Sequence, residues 1–224
     1  MINPAIQSLI LKDWRLHRMH IMLSLLGGGL AIAMLQIPNE STFMLGAVWF
    51  FTALIVLASM LPVSNVINER KKQTNVFLLS LPVSPVQYAI AKVFSTLGLF
   101  LLPWAALVLA GSLFLLSHRT TPHGIIPLML ILFGLPLVGF CVKAGAALVS
   151  ESEGWTIAAT ILCNSSYGLG WYFIIRNPTI NGALKSPVAV WSSPVLMILG
   201  GEAAALVLIL GITFWLQSRK REFV

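Results

Sequence analysis

The chain has 224 residues, of which 58% are hydrophobic and only 9% charged. Soluble domains carry about 25% charged residues, so these totals exclude a soluble enzyme and define a polytopic, all-α membrane protein. The net charge of +7 comes from basic residues between apolar runs, where lipid headgroups and the positive-inside bias account for it and a nucleic-acid partner is not implied.

Both cysteines, Cys141 and Cys163, fall inside apolar runs, which leaves no disulfide framework. The N-terminus lacks a cleavable-signal pattern. No stretch is long enough to build a separate soluble core. The expected organisation is an interfacial amphipathic helix over 1–18, a single six-helix membrane domain over 19–217, and a basic cytoplasmic tail over 218–224.

Asn3-Pro4 reads as a helix cap followed by a first-turn proline. Ile6, Leu9, Ile10 and Trp14 then recur at helical spacing, opposite Gln7, Ser8, Lys12, Arg15 and Arg18. Such a helix lies in the membrane interface, with Trp14, Arg15 and Arg18 as its anchors. The alternative is a simple extension of the first span. That span covers 19–37 and carries Gly27-Gly28-Gly29, a patch that lets another helix approach closely. A tight turn at 38–41 leads to a second span over 43–67, with Pro62 predicting a kink near its end.

Residues 66–92 break the pattern. The charged cluster Glu69-Arg70-Lys71-Lys72 and the turn-formers Gln73-Thr74-Asn75 precede an apolar piece, Val76-Phe77-Leu78-Leu79-Ser80-Leu81, closed by Pro82. Six residues cannot cross a hydrocarbon core, which needs about 20. Thr74 or Asn75 as N-cap and Pro82 as terminator predict a short docking helix; the alternative is an ordinary loop on the lipid surface. Ser84-Pro85 then reads as the cap and first position of the third span.

The third span covers 91–116 and contains Pro103; the fourth, 125–149, carries Pro127, Pro136 and an embedded Lys143. A short turn at 150–154 leads to the fifth span, 155–175. The connection from Arg176 to Pro194 holds Val188-Ala189-Val190-Trp191, too short to cross and therefore a candidate re-entrant dip into the outer leaflet. The sixth span is 195–216. Eleven Lys and Arg residues fall on one side and only Arg119, Arg176 and Lys185 on the other, which places both termini in the cytoplasm.

Reactive groups are few. No HExxH, GxSxG or GxxxxGK[ST] pattern occurs, so the chain has no catalytic residue set, no metal site and no ATP-binding phosphate loop of its own. His17 and His20, spaced i, i+3, have no nearby third ligand and read as solvated or snorkelling side chains, as do His118 and His123. Glu151 and Glu153 are spaced i, i+2, which does not put two side chains on one helix face. Two embedded charges are more informative, because a charge at such depth costs at least a few kcal/mol unless paired or hydrated. Glu202 lies about 22 Å from the end of the last span, and either lines a translocation path or pairs with Arg176 or Lys185. Lys143 is expected to snorkel to the headgroups.

The segment NERKKQTNVFLLSLPVSPVQYAIAK resembles the characteristic stretch of ABC-2 type transporter permeases. Glu69, Thr74, Leu78, Leu79, Ser80, Leu81, Pro82, Val83, Ser84 and Lys92 stand at the matching positions, with Gln73 where the family has a glycine. The resemblance implies that the loop over 68–82 is a coupling helix docking on a separate ATPase subunit, through Glu69, Arg70, Thr74, Val76, Phe77, Leu78, Leu79 and Leu81. It further implies a second permease copy, as homodimer or heterodimer, and a segment that re-enters the outer leaflet before the last span. ATP and Mg would be held by the partner subunit. The bacterial inner membrane is the implied location, and a hydrophobic or amphipathic solute the implied cargo. Three rivals stand beside it. One is a membrane subunit of the haem-exporter type, from which Arg70-Lys71-Lys72 departs; another is an intramembrane enzyme using Glu151, Glu153 and Lys143; the third is a non-catalytic membrane scaffold whose docking stretch binds a partner while nothing crosses.

Overall fold

A computed structural model describes residues 4–37, 39–67, 85–117 and 122–219, with side chains at 11–37, 39, 41–67, 91–117, 122–217 and 219. Seven α-helices account for most of them: α1 (Pro4–Leu35), α2 (Glu40–Pro62), α3 (Pro85–Ser117), α4 (Ile126–Ser150), α5 (Glu153–Arg176), α6 (Pro178–Ala183) and α7 (Ser193–Ser218). Five segments are long and apolar enough to cross a membrane: Leu11–Leu35, Ser41–Ile67, Ala91–Ser117, His123–Ser150 and Ser193–Gln217. The sixth expected span is α5, which at 24 residues is about 36 Å long. It is less apolar than the others because Asn164-Ser165-Ser166 interrupts its middle.

Residues 68–84 lie outside the described residues, so the expected docking helix, with Glu69, Arg70, Thr74, Val76, Phe77, Leu78, Leu79 and Leu81, is not among these elements. The two ends of that connection, Ile67 and Pro85, mark the loop end of the bundle.

Local chemistry explains the helix boundaries. Asn39 accepts from Ser41 N at 3.0 Å and starts α2, and Asn177 Oδ1 accepts from Thr179 N and Ile180 N to start α6. Pro62 lacks an N–H and its ring crowds the carbonyl one turn back. Directly after it, the chain widens into a π-helical turn, Val63–Ile67, in which Asn65 is buried. α4 ends at Glu151, whose φ of 53° and N–H to Ala147 O (3.0 Å) close the last turn before α5 runs back alongside. α1 is continuous from Pro4 to Leu35, so the expected interfacial helix and first span form one element.

The central helix is α4, the one element that contributes to every apolar cluster. Phe140, Cys141 and Ala144 pack with Ile21, Leu57, Ala58, Leu61, Leu99 and Phe100. At its core the Phe100 and Phe140 rings stack with centroids 4.0 Å apart and planes 8° from parallel. Phe133 joins Ala31, Phe50, Leu54 and Leu107 farther from the loop end. Ala147 and Leu148 meet Val66, Ile67 and Val93 at the loop end, and Leu128 and Ile131 meet Ile174, Ile180 and Val195 at the far end. Outside this core the helices are apolar on their open faces, with Leu23, Leu30, Trp49, Leu102, Leu109, Leu162, Met197 and Val207 all exposed. Water does not favour such a surface over the length of five helices; hydrocarbon does.

Small residues on α4 set how near its neighbours come. A Cβ at Gly139 would collide with the Tyr167 hydroxyl of α5, and one at Gly134 with the Glu202 carboxylate of α7. Of the Gly27-Gly28-Gly29 patch, Gly28 is the member that admits a neighbour, the Leu107 side chain of α3. Between α6 and α7 the backbone folds back on the far-end turn, where Gly124 N donates to Ser186 O at 3.0 Å. Residues 188–191 form no helix there, and Val188 and Trp191 are exposed.

Candidate functional site

At the loop end, α1, the π-turn after α2, and the start of α3 converge on a buried polar cluster. Asp13 of α1 is 3% exposed, and its Oδ2 accepts from Lys92 Nζ at 3.2 Å and from Ser95 Oγ at 2.7 Å. Lys92 Nζ also donates to Asn65 Oδ1 at 3.0 Å. The Asn65 amide donates to Thr96 Oγ1 at 2.8 Å, and Thr96 donates its own proton to Lys92 O at 2.7 Å. His17, one turn along α1, is buried with Nδ1 2.8 Å from Asp13 O. The second basic neighbour of Asp13, Lys12, stands 3.7 Å away at the surface, where screening leaves it little energy.

Every element of this cluster has a local cause. The widened turn after Pro62 puts Asn65 on the inner face. Lys92, Ser95 and Thr96 share a face of α3 because Ser95 and Thr96 follow Lys92 by three and four residues. Two opposite charges taken out of water hold together only when their remaining hydrogen-bonding capacity is served; here Ser95 bonds the carboxylate and Asn65 the ammonium, and Thr96 holds the Asn65 amide in place. The result is a clamp that ties α1 to both ends of the 68–84 connection, one end leaving α2 at Ile67 and the other entering α3 at Pro85.

Asp13, Asn65, Ser95 and Thr96 are absent from the expectations drawn from sequence. The signal for Asp13 was present: it follows Leu9 and Ile10 by four and three residues, and so lies on the apolar side of its helix. His17, expected to be solvated, is instead buried at 2% exposure, because it continues that same row. His20 is exposed. Of the interfacial anchors, Arg15 and Arg18 are exposed, whereas Trp14 packs against the core.

Of the two embedded charges, Lys143 differs from expectation, and one of the two alternatives for Glu202 drops out. Lys143 does not snorkel. It is 0% exposed, and Nζ donates to Ser59 Oγ of α2 and Asn164 Oδ1 of α5, each at 2.9 Å, over the Tyr167 ring at 5.3 Å. Helices on both sides enclose its stem, so the ammonium has no route to the headgroups. Glu151 and Glu153 do not join it. Glu202 pairs with neither Arg176 nor Lys185; it lies against Gly134, with Oε1 buried and unpartnered among the described residues. Arg176 instead sits over the Tyr172 ring at 4.6 Å.

A bundle of long apolar helices, bound at one end by a buried ion pair, defines an integral membrane protein. Residues 8–144 match the family described as ABC-2 family transporter protein, and the chain belongs to that family. The matched region runs from α1 into α4 and includes Asp13, Asn65, Lys92 and the whole 68–84 connection. No curated protein and no solved structure matches the chain.

Proposed function

We propose that the chain is the membrane-spanning permease subunit of an ATP-driven exporter, coupled to a separate ATPase subunit through residues 68–82. The observation that carries this reading is the Asp13–Lys92–Asn65 clamp at the base of that connection. A force applied to the loop enters the bundle where α1, α2 and α3 are bonded together, so the three helices move as a unit instead of fraying. The apolar hexapeptide 76–81, which includes Phe77, is the part the ATPase grips. The chain supplies the lever and the path, and the partner supplies ATP, Mg and the bond-breaking chemistry.

In this reading α5 also crosses the bilayer, which brings the count to six and puts both termini on the cytoplasmic side of a bacterial inner membrane. Its length and its antiparallel course beside α4 support the crossing. Its exposed polar residues Asn164, Ser165 and Ser166 do not suit lipid and suit a hydrated path between two permease copies. Residues 188–191 lie at the outer-leaflet end of that path, and a hydrophobic or amphipathic solute is the cargo that an apolar bundle of this kind admits. Co-expression with the candidate ATPase and affinity purification of this chain tests the reading. Stoichiometric recovery of the ATPase is expected; recovery of the permease alone in mild detergent overturns it.

A further inference from the structure

The fold contains two buried lysines and treats them differently. Lys92 has a carboxylate at 3.2 Å. Lys143 has none among the described residues: its partners are a serine hydroxyl, an amide oxygen and an aromatic face, all neutral. Ser59 Oγ donates its own proton to Ile55 O at 2.8 Å, so it meets the ammonium as an acceptor but brings no charge. The embedded carboxylate on α4's other side, Glu202, packs on Gly134, nine residues along the helix and hence about 13 Å away. One turn from Lys143, the Tyr167 hydroxyl is buried against Gly139 and makes no hydrogen bond among the described residues. A cation with a spare donor therefore stands over the ring that carries an unused phenolic donor, with no described carboxylate bonded to either.

We propose that Lys143 and the Tyr167 hydroxyl form a recognition site for an anionic headgroup, a phosphate or carboxylate carried by an amphiphile, which enters from the open face of α5 and takes the place of Asn164 Oδ1. This deepens the transport reading, on which it rests, by stating the charge of what is carried. Asn164 is exposed, so its side chain is the one partner of Lys143 that turns aside without disturbing the core. The incoming oxygens accept from the ammonium and the phenol together, and the Tyr167 ring screens the pair from lipid. Charge-assisted bonds in such a setting are the strong ones.

The test uses the full chain in neutral detergent, with dodecyl phosphate as probe and dodecyltrimethylammonium as the control of opposite sign. Wild-type protein is expected to bind dodecyl phosphate and not the cation. Lys143→Gln should weaken binding by about tenfold or more, the loss of one charged hydrogen bond. Tyr167→Phe should weaken it several-fold while leaving the unliganded unfolding midpoint in place or higher, since it removes a hydroxyl that bonds nothing among the described residues. Lys185→Gln, a charge outside the site, should leave the affinity unchanged. Equal affinity in wild type, Lys143→Gln and Tyr167→Phe overturns the site, and if Lys143→Gln does not fold, unchanged affinity in Tyr167→Phe overturns it alone. Nanodiscs of phosphatidylcholine with and without phosphatidylglycerol separate the sources. Competition by phosphatidylglycerol assigns the site to a resident lipid headgroup, and its absence assigns it to a mobile amphiphile; either supports the anion site. The ATPase takes no part in these measurements, so a failed co-purification would sink the transport reading and leave this result standing.

Discussion

Asp13 and Lys92 are 79 residues apart in the chain, and their charged atoms are 3.2 Å apart in the fold. Both side chains are nearly inaccessible, at 4% and 8% exposure. Neither charge reaches water, so removing one of them is costly. Asp13→Asn should lower stability by about 3–5 kcal/mol, the cost of breaking a buried ion pair by removing one partner. The double variant Asp13→Asn, Lys92→Met should recover a large part of that loss. Thermal unfolding in detergent, arranged as a double-mutant cycle, checks this; additive single effects would show that the pair is not coupled.

The proposed coupling role predicts a division of labour between the clamp and residues 76–81. Phe77→Asp should leave the chain inserted and folded, with an unfolding midpoint within about 1 kcal/mol of wild type, while abolishing stimulation of the partner ATPase. Unchanged stimulation would remove residues 76–81 from the coupling role.

The packing of α5 on α4 through Gly139 is equally testable. Gly139→Ala places a methyl against the Tyr167 hydroxyl and should cost about 1–3 kcal/mol by overpacking. Adding Tyr167→Phe should return part of it, because the colliding atom is the hydroxyl itself. Unfolding midpoints of the two single variants and the double variant decide the matter.

The proposed sixth crossing, by α5, makes a labelling prediction. In a background where Cys141 and Cys163 are replaced by alanine, cysteines at His123 and Lys185 should react with a membrane-impermeant maleimide applied to intact cells. Cysteines at Glu151 and Arg219 should react only after permeabilisation. Labelling of Glu151 and Lys185 from the same side would mean that α5 does not cross.

The Phe100–Phe140 stack offers a control on the core away from every polar site. Phe140→Ala should destabilise by about 3–5 kcal/mol, typical of a deleted buried aromatic, without changing the ATPase affinity of whatever protein remains folded.

Apolar length was enough to mark the long helices from the residues alone, though not the short α6. Composition does that work, because in lipid every backbone polar group must be satisfied within its own segment. Punctuation was legible as well: Pro62 marked a backbone disturbance, Pro85 opens α3, and the LLSLPVS run announced the family. Neither buried lysine's surroundings could be read that way. Whether Lys143 snorkels or is enclosed depends on Ser59 and Asn164, which lie 84 and 21 residues away, and no local pattern reports which helix covers it. Likewise Asp13, Asn65 and Lys92 become one site only when three helices are set side by side. Local pattern determined which segments are helical, because backbone hydrogen bonding and burial in lipid act along the chain. The tertiary structure decided which charges meet, because pairing acts across it.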